Sequence, residues 1–225
     1  MTETETETYF PIGAIVCTTQ RKRGRGFVEW LMSLVSWLIA WASRMPGEPP
    51  TRATHAAMVV KGGTLKTAEI LEALWPRIQI SPLKKYARHM TVYRSLRINP
   101  LICNLMATRA KEQARLTGGR TRGIVYGLLK LPLFLLDCLL SKALCYAWMG
   151  ICYLGPGLRY QPFEVRLFTR LNLIWIFVCS QVVARVYQEI GGVKFIYHWS
   201  RVTPDDIDDY CGAAVDEFEQ IYPSV

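Results

Sequence analysis

Thr54-His55-Ala56-Ala57-Met58-Val59-Val60 is the stretch on which the reading of this chain turns. An imidazole opens an unbroken apolar run, and a run of that length bounded by turn residues suits a buried strand. Gly62-Gly63 marks a turn, and Thr67–Ala73 (TAEILEA) supplies a second strand. Upstream, Tyr9–Thr18 (YFPIGAIVCT) predicts a strand after a proline. Downstream, Ile78–Ile80 predicts a third edge that runs through Ser81-Pro82-Leu83 into a short helix ending at Tyr86. Met90–Leu96 alternates as a further strand. A histidine at a strand end can face a cleft, but it can equally be a structural core residue.

Two segments strengthen the first alternative. Glu72 is a carboxylate inside an apolar strand (ILEAL), and burial without a partner is unfavourable. An imidazole on the neighbouring strand is its natural partner. Cys179, in Phe177-Val178-Cys179-Ser180-Gln181, sits where an apolar run enters a helix that Gly191-Gly192 stops. A thiol in a first helical turn has its pKa lowered by the helix dipole, and the thiolate is the nucleophile. The Cys179 backbone N–H would then point where an oxyanion forms. The bland alternative is a buried core thiol.

The remaining elements surround this nucleus. Phe27–Ser43 is apolar nearly all round, with Trp30, Trp37 and Trp41 and one charge, Glu29. It falls short of the roughly 20 residues a span requires, so it is expected as a buried or interfacial helix. Asn99-Pro100 opens a helix over Leu101–Leu116. Leu128–Leu154 is greasy but interrupted by Lys130, Pro132, Asp137 and Lys142, which predicts a helical hairpin covering the core or lying on a membrane. Asn172–Ile190 leads into the Cys179 helix, and Val193–Tyr197 suggests a last strand. Thr203 caps a helix with Pro204 at its first position and two acids in its first turn.

Composition bounds the function. The 225 residues are 51% hydrophobic and 20% charged, with mean hydropathy +0.13, which excludes a disordered or collagen-like chain. The net charge is +9. The run Arg77–Lys130 is basic with Glu112 its one acid, whereas Asp205–Glu219 is acidic without a Lys or Arg. Such a basic face fits an anionic membrane surface, an acidic substrate, or a solvated surface partly neutralised by the acidic C-terminus. No RNA-binding signature accompanies it, so nucleic acid is not the expected partner. The seven cysteines include Cys138, Cys145 and Cys152 at seven-residue spacing inside an apolar run, a packing pattern rather than a metal motif. Glu3, Glu5 and Glu7 alternate with threonine, the opposite of a signal peptide. The expectation is therefore free thiols in a cytoplasmic or peripheral-membrane protein.

The order of segments, a Gly-Ala-Ile-Val strand, Thr-His-Ala-Ala-Met-Val-Val, Ile-Leu-Glu-Ala, Ile-Ser-Pro-Leu-Lys-Lys-Tyr and later Val-Cys-Ser-Gln-Val-Val-Ala-Arg-Val-Tyr, resembles the circularly permuted NlpC-type papain-like cysteine hydrolases. These are the YiiX-like group, relatives of the lecithin–retinol acyltransferase-like enzymes. The resemblance implies an α+β fold, a small antiparallel sheet packed on the Cys-bearing helix. It also implies Cys179 as nucleophile, His55 as general base and acid, and Glu72 as the residue orienting His55. Gly13-Ala14 stands where the family has Gly-Asp, and Gln181 where it has Glu. Residues 1–8 read as a disordered tail and 9–225 as a single domain with helical insertions at about 27–43 and 99–158. Tyr126 and Ser180 are candidate substrate-binding residues. The expected substrates are peptides, including peptidoglycan-like amides, with no metal or cofactor. The alternatives are a lipid-directed thioesterase or acyltransferase, favoured by the greasy segments, and a non-catalytic membrane-associated binding protein.

Overall fold

The computed structural model describes residues 8–18, 34, 37, 38, 41, 46, 53–74, 77–87, 89–116, 122–155, 158–161, 163, 165, 179–195, 198–199 and 202–222. Among these the chain forms a mixed α+β fold with a six-stranded antiparallel sheet and four helices. The strands are β1 (Ile15–Thr18), β2 (His55–Lys61), β3 (Glu69–Leu74), β4 (Arg77–Pro82), β5 (Met90–Ser95) and β6 (Phe218–Tyr222). Their order across the sheet is β4-β3-β2-β1-β5-β6. The helices are α1 (Pro100–Leu116), α2 (Arg122–Leu154), α3 (Cys179–Glu189) and α4 (Pro204–Ala213), and a 3-10 turn spans Leu83–Tyr86.

The two-residue period of a strand divides β2 between the two faces of the sheet. Ala56, Met58 and Val60 join Ile15, Cys17 and Leu71 in a core with Met106 of α1 and Val182, Val183, Val186 and Tyr187 of α3. Ala57 and Val59 face the other way, with Phe10, Val16, Ile70, Val92 and the 3-10 residues Leu83 and Tyr86. Because both faces are covered, β2 reads as a continuous apolar run rather than an alternating one. Gly13, at φ +85, turns the chain into β1. Its carbonyl accepts from the Tyr187 hydroxyl, which ties β1 to α3.

Two expectations need correction. Leu128–Leu154 is not a hairpin but part of one continuous helix, α2, of 33 residues. Pro132 removes a single donor and Asp137 is buried at 2% exposure, so neither interruption supplies the turn that a reversal of the chain needs. The last strand is β6, not Val193–Tyr197. The described part of that stretch, Val193–Phe195, follows Gly192 at φ +70, and Phe195 packs between Tyr187 and Tyr210 over the helical core. In β6 the inward Phe218 is outnumbered by the outward Glu219 and Gln220, so the strand signal is hidden by its solvent face. Leu34, Trp37, Leu38 and Trp41 are helical, and the exposure of Trp37 and Trp41 fits the interfacial and not the buried alternative for that helix. The rest of 27–43, and residues 1–7 of the expected tail, lie outside the described residues.

The acidic C-terminus does neutralise part of the basic face. Arg94 pairs with Glu219 across β5 and β6, and Arg97 reaches Asp216 and Glu217 at 2.7 and 2.8 Å. All seven cysteines are free thiols, and Cys138 and Cys145 are buried as their spacing predicts.

Candidate active site

Strand register brings the first two residues together. Thr18 of β1 pairs with His55, which fixes the histidine at the very start of β2. Glu72 of β3 lies opposite Ala57, two residues along and therefore on the same face as His55. This diagonal brings Glu72 Oε2 to 3.1 Å from His55 Nε2. The carboxylate is 1% exposed and is held from several sides. Lys85 Nζ donates to Oε1 at 2.9 Å, Gln79 Nε2 donates to the same oxygen at 3.4 Å, and the Tyr86 hydroxyl donates to Oε2. Gln79 is there because it is the register partner of Glu72 on β4. Lys85 and Tyr86 are there because the 3-10 turn folds back under the sheet directly after β4.

Cys179 arrives from the helical face. It is the first residue of α3, which buries its Val182-Val183 side on β2, and no acid occupies its first turn to oppose the dipole. Cys179 and His55 lie close enough for each to shift the other's titration, and the backbone at Ala56 and Ser180 also favours the thiolate. With Nε2 on the carboxylate, Nδ1 is the ring nitrogen left for the sulfur. The three side chains thus form a chain from sulfur to imidazole to carboxylate. Cys179 is 8% exposed and the His55 side chain 13%, so both are largely removed from water while keeping some accessible surface.

The electrostatics follow from the contacts. Burial disfavours the imidazolium, but the neighbouring Cys179 thiolate and then Glu72 outweigh it and push His55 up to about 9. Burial likewise opposes the thiolate, yet the charge of His55, with the backbone at Ala56 and Ser180, holds Cys179 below an ordinary thiol. Glu72 is held below the usual carboxylate range against its burial, chiefly by His55, with help from Ser81 and Tyr86. The contrast with the other thiols is informative. Cys17, Cys103 and Cys211 are all pushed up by burial. The protein therefore lowers one thiol while raising three others.

Of the two other candidates, Ser180 is buried and its hydroxyl donates to the Val202 carbonyl at 2.7 Å. That bond fastens the start of α3 to the segment before α4, so the hydroxyl is occupied structurally. Tyr126 falls within α2, and its side chain lies outside the described residues. Gln79, Lys85 and Tyr86 are the residues that sequence reasoning passed over. The usable signal was the cost of burying Glu72, which calls for several donors, followed by a polar turn (Leu-Lys-Lys-Tyr) at the end of the next strand. Among the described residues, no three His, Cys, Asp or Glu side chains converge as a metal ion would require.

No family model matches the chain, and no curated protein matches it. Among solved structures it is similar to the crystal structure of the metalloprotein yiiX from Escherichia coli O157:H7, at 14% identity and a TM-score of 0.37, with 94% of this chain and 88% of that one covered.

Proposed function

We propose that the chain is a cysteine hydrolase of the permuted NlpC, papain-like type, acting on amide bonds through Cys179, His55 and Glu72. The observation that carries this reading is the His55 ring held at 3.1 Å by the buried Glu72 and lying beside Cys179, whose thiolate it favours. A core thiol has no need of such an arrangement. The raised His55 and the lowered Cys179 both favour a thiolate–imidazolium pair, in which the proton rests on the ring. The thiolate attacks the substrate carbonyl, a C–S bond forms, and negative charge moves to the carbonyl oxygen. The N–H groups at the start of α3 would stabilise that oxyanion. The imidazolium then gives its proton to the leaving nitrogen as the C–N bond breaks. Water, deprotonated by the neutral imidazole, releases the acyl group and restores the pair. Glu72 orients the ring and supports its charged form, while Lys85, Tyr86 and Gln79 hold Glu72. Peptides, including cell-wall peptide links, are the substrates proposed. A lipid-directed acyl transfer by the same thiol is the second reading, favoured by the exposed Trp37 and Trp41.

The test is labelling with iodoacetamide at pH 6 on the parent, Cys179→Ala and His55→Ala. Cys179 is expected to react first among the seven cysteines, and His55→Ala to slow it about tenfold or more, as the thiol returns towards its ordinary pKa. Modification of another cysteine first, or indifference to His55→Ala, would falsify the assignment.

A further inference from the structure

Helix α2 is built inside out. Over Leu135–Leu154 its polar side chains face the protein. Asp137 and Ser141 are 2% and 1% exposed, and Cys145 continues the same stripe one turn further on. Leu136, Leu139, Leu144, Tyr146, Ile151 and Leu154 stand outside, each between 41% and 83% exposed. A water-facing helix places these two classes the other way round. The stripe has a definite task. Ser141 Oγ accepts from the Val165 N–H at 2.8 Å, and its one proton is shared between the Asp137 carbonyl at 2.7 Å and the Val165 carbonyl at 3.1 Å. Cys145 Sγ donates to the Phe163 carbonyl at 3.1 Å and accepts from the Phe163 N–H at 3.4 Å. The side chains of α2 thereby satisfy the main chain of a non-helical segment, which irregular backbone requires where water is excluded.

Beside this helix lie two exposed indoles, Trp37 and Trp41, stacked with centroids 6.4 Å apart. Lys142 Nζ sits 3.9 Å above the Trp41 ring and donates to the Trp41 carbonyl. An aromatic pair with a lysine at the flank of an apolar arc is the composition of a headgroup-level belt. We infer that the outer face of α2, flanked by Trp37, Trp41 and Lys142, docks the protein on a phospholipid bilayer, with the helix lying in the plane of the interface. Leu135–Leu154 is long and apolar enough to cross a membrane. Crossing, however, would draw Asp137, Lys142 and the main chain at Phe163 and Val165 into hydrocarbon. An in-plane helix leaves all three on the protein or headgroup side. The net charge of +9 favours an anionic leaflet. This inference does not depend on Cys179 being catalytic.

The experiment is flotation of the full chain with phosphatidylcholine vesicles, with and without phosphatidylserine. The parent is expected to float with both and more strongly with the anionic ones, and an alkaline carbonate wash is expected to release it. Leu139→Glu with Leu144→Glu alters two exposed positions, so the fold, checked by circular dichroism, is expected to persist while vesicle partition falls about tenfold or more. Cys179→Ala is expected to float like the parent, so failure of the hydrolase reading and failure of this one are separately visible. Three results would overturn the inference: no flotation, flotation unchanged by the double substitution, or a lipid-free dimer that the same substitution dissociates. Resistance to carbonate would overturn the in-plane geometry.

Discussion

Glu72 is the residue on which the candidate site balances. Its carboxylate is removed from water and compensated by His55, Lys85, Tyr86 and Gln79. Glu72→Gln keeps the shape but removes the charge that supports the imidazolium. We expect a hydrolytic pH profile whose alkaline limb lies near 9 in the parent, where His55 gives up its proton, and moves to lower pH in Glu72→Gln. A limb that stays in place would remove Glu72 from the mechanism. The same shifts fix the pH dependence of stability. Glu72 has a lowered folded-state pKa, so the stability it contributes is present above about pH 4.3 and is lost as pH falls through its folded value. His55 has a raised one, so its contribution is complete below about 6.5 and is lost as pH rises through about 9. Denaturant titrations of the parent and Glu72→Gln are expected to converge at low pH and diverge near neutrality. The Cys–His–Glu trio itself was legible from residue chemistry: a carboxylate in an apolar strand, an imidazole at a strand head and a thiol at a helix start. Gln79 and the Lys85-Tyr86 clamp were not, because they depend on how β4 pairs and where the 3-10 turn folds back.

At the scale of elements, the start of α3 is the part that has to be held still. Ser180 ties it to Val202, and the next residue, Thr203, begins the capping box of α4. Thr203 Oγ1 accepts from the Asp206 N–H at 3.1 Å, and Asp206 Oδ2 accepts from the Thr203 N–H at 2.6 Å. Thr203→Ala is expected to lower stability by about 1 kcal/mol. Because the capped segment carries the Val202 carbonyl, it is also expected to reduce Cys179 reactivity. Thermal denaturation alongside iodoacetamide kinetics checks both, and a stability loss with unchanged Cys179 reactivity would uncouple the two. The cap was legible in Thr-Pro-Asp-Asp because capping chemistry is local. The continuity of α2 was not: Pro132, Asp137 and Lys142 look like breaks until the tertiary structure gives Asp137 a buried position and Lys142 an indole. β6 was missed for the opposite reason, since its partner β5 lies more than a hundred residues away and its own outward residues, Glu219 and Gln220, are polar.

For the molecule as a whole, cohesion comes from two apolar layers on either side of the sheet, with no covalent cross-link among the seven thiols. The melting temperature is therefore expected to be unchanged by dithiothreitol, and a drop on reduction would show a disulfide that this arrangement does not contain. The sequence by itself determined the individual strands through β5, the cap of α4 and the three candidate side chains Cys179, His55 and Glu72. Each of these is written in short-range patterns: turn residues, apolar periodicity and caps. Tertiary structure alone decided the sixth strand, the three further donors around Glu72 (Gln79, Lys85 and Tyr86), the occupied Ser180 hydroxyl and the outward-turned apolar face of α2. Those depend on which distant surfaces meet, and burial, the quantity that sets the energy of a charge or a leucine, is not a property of any single stretch of chain.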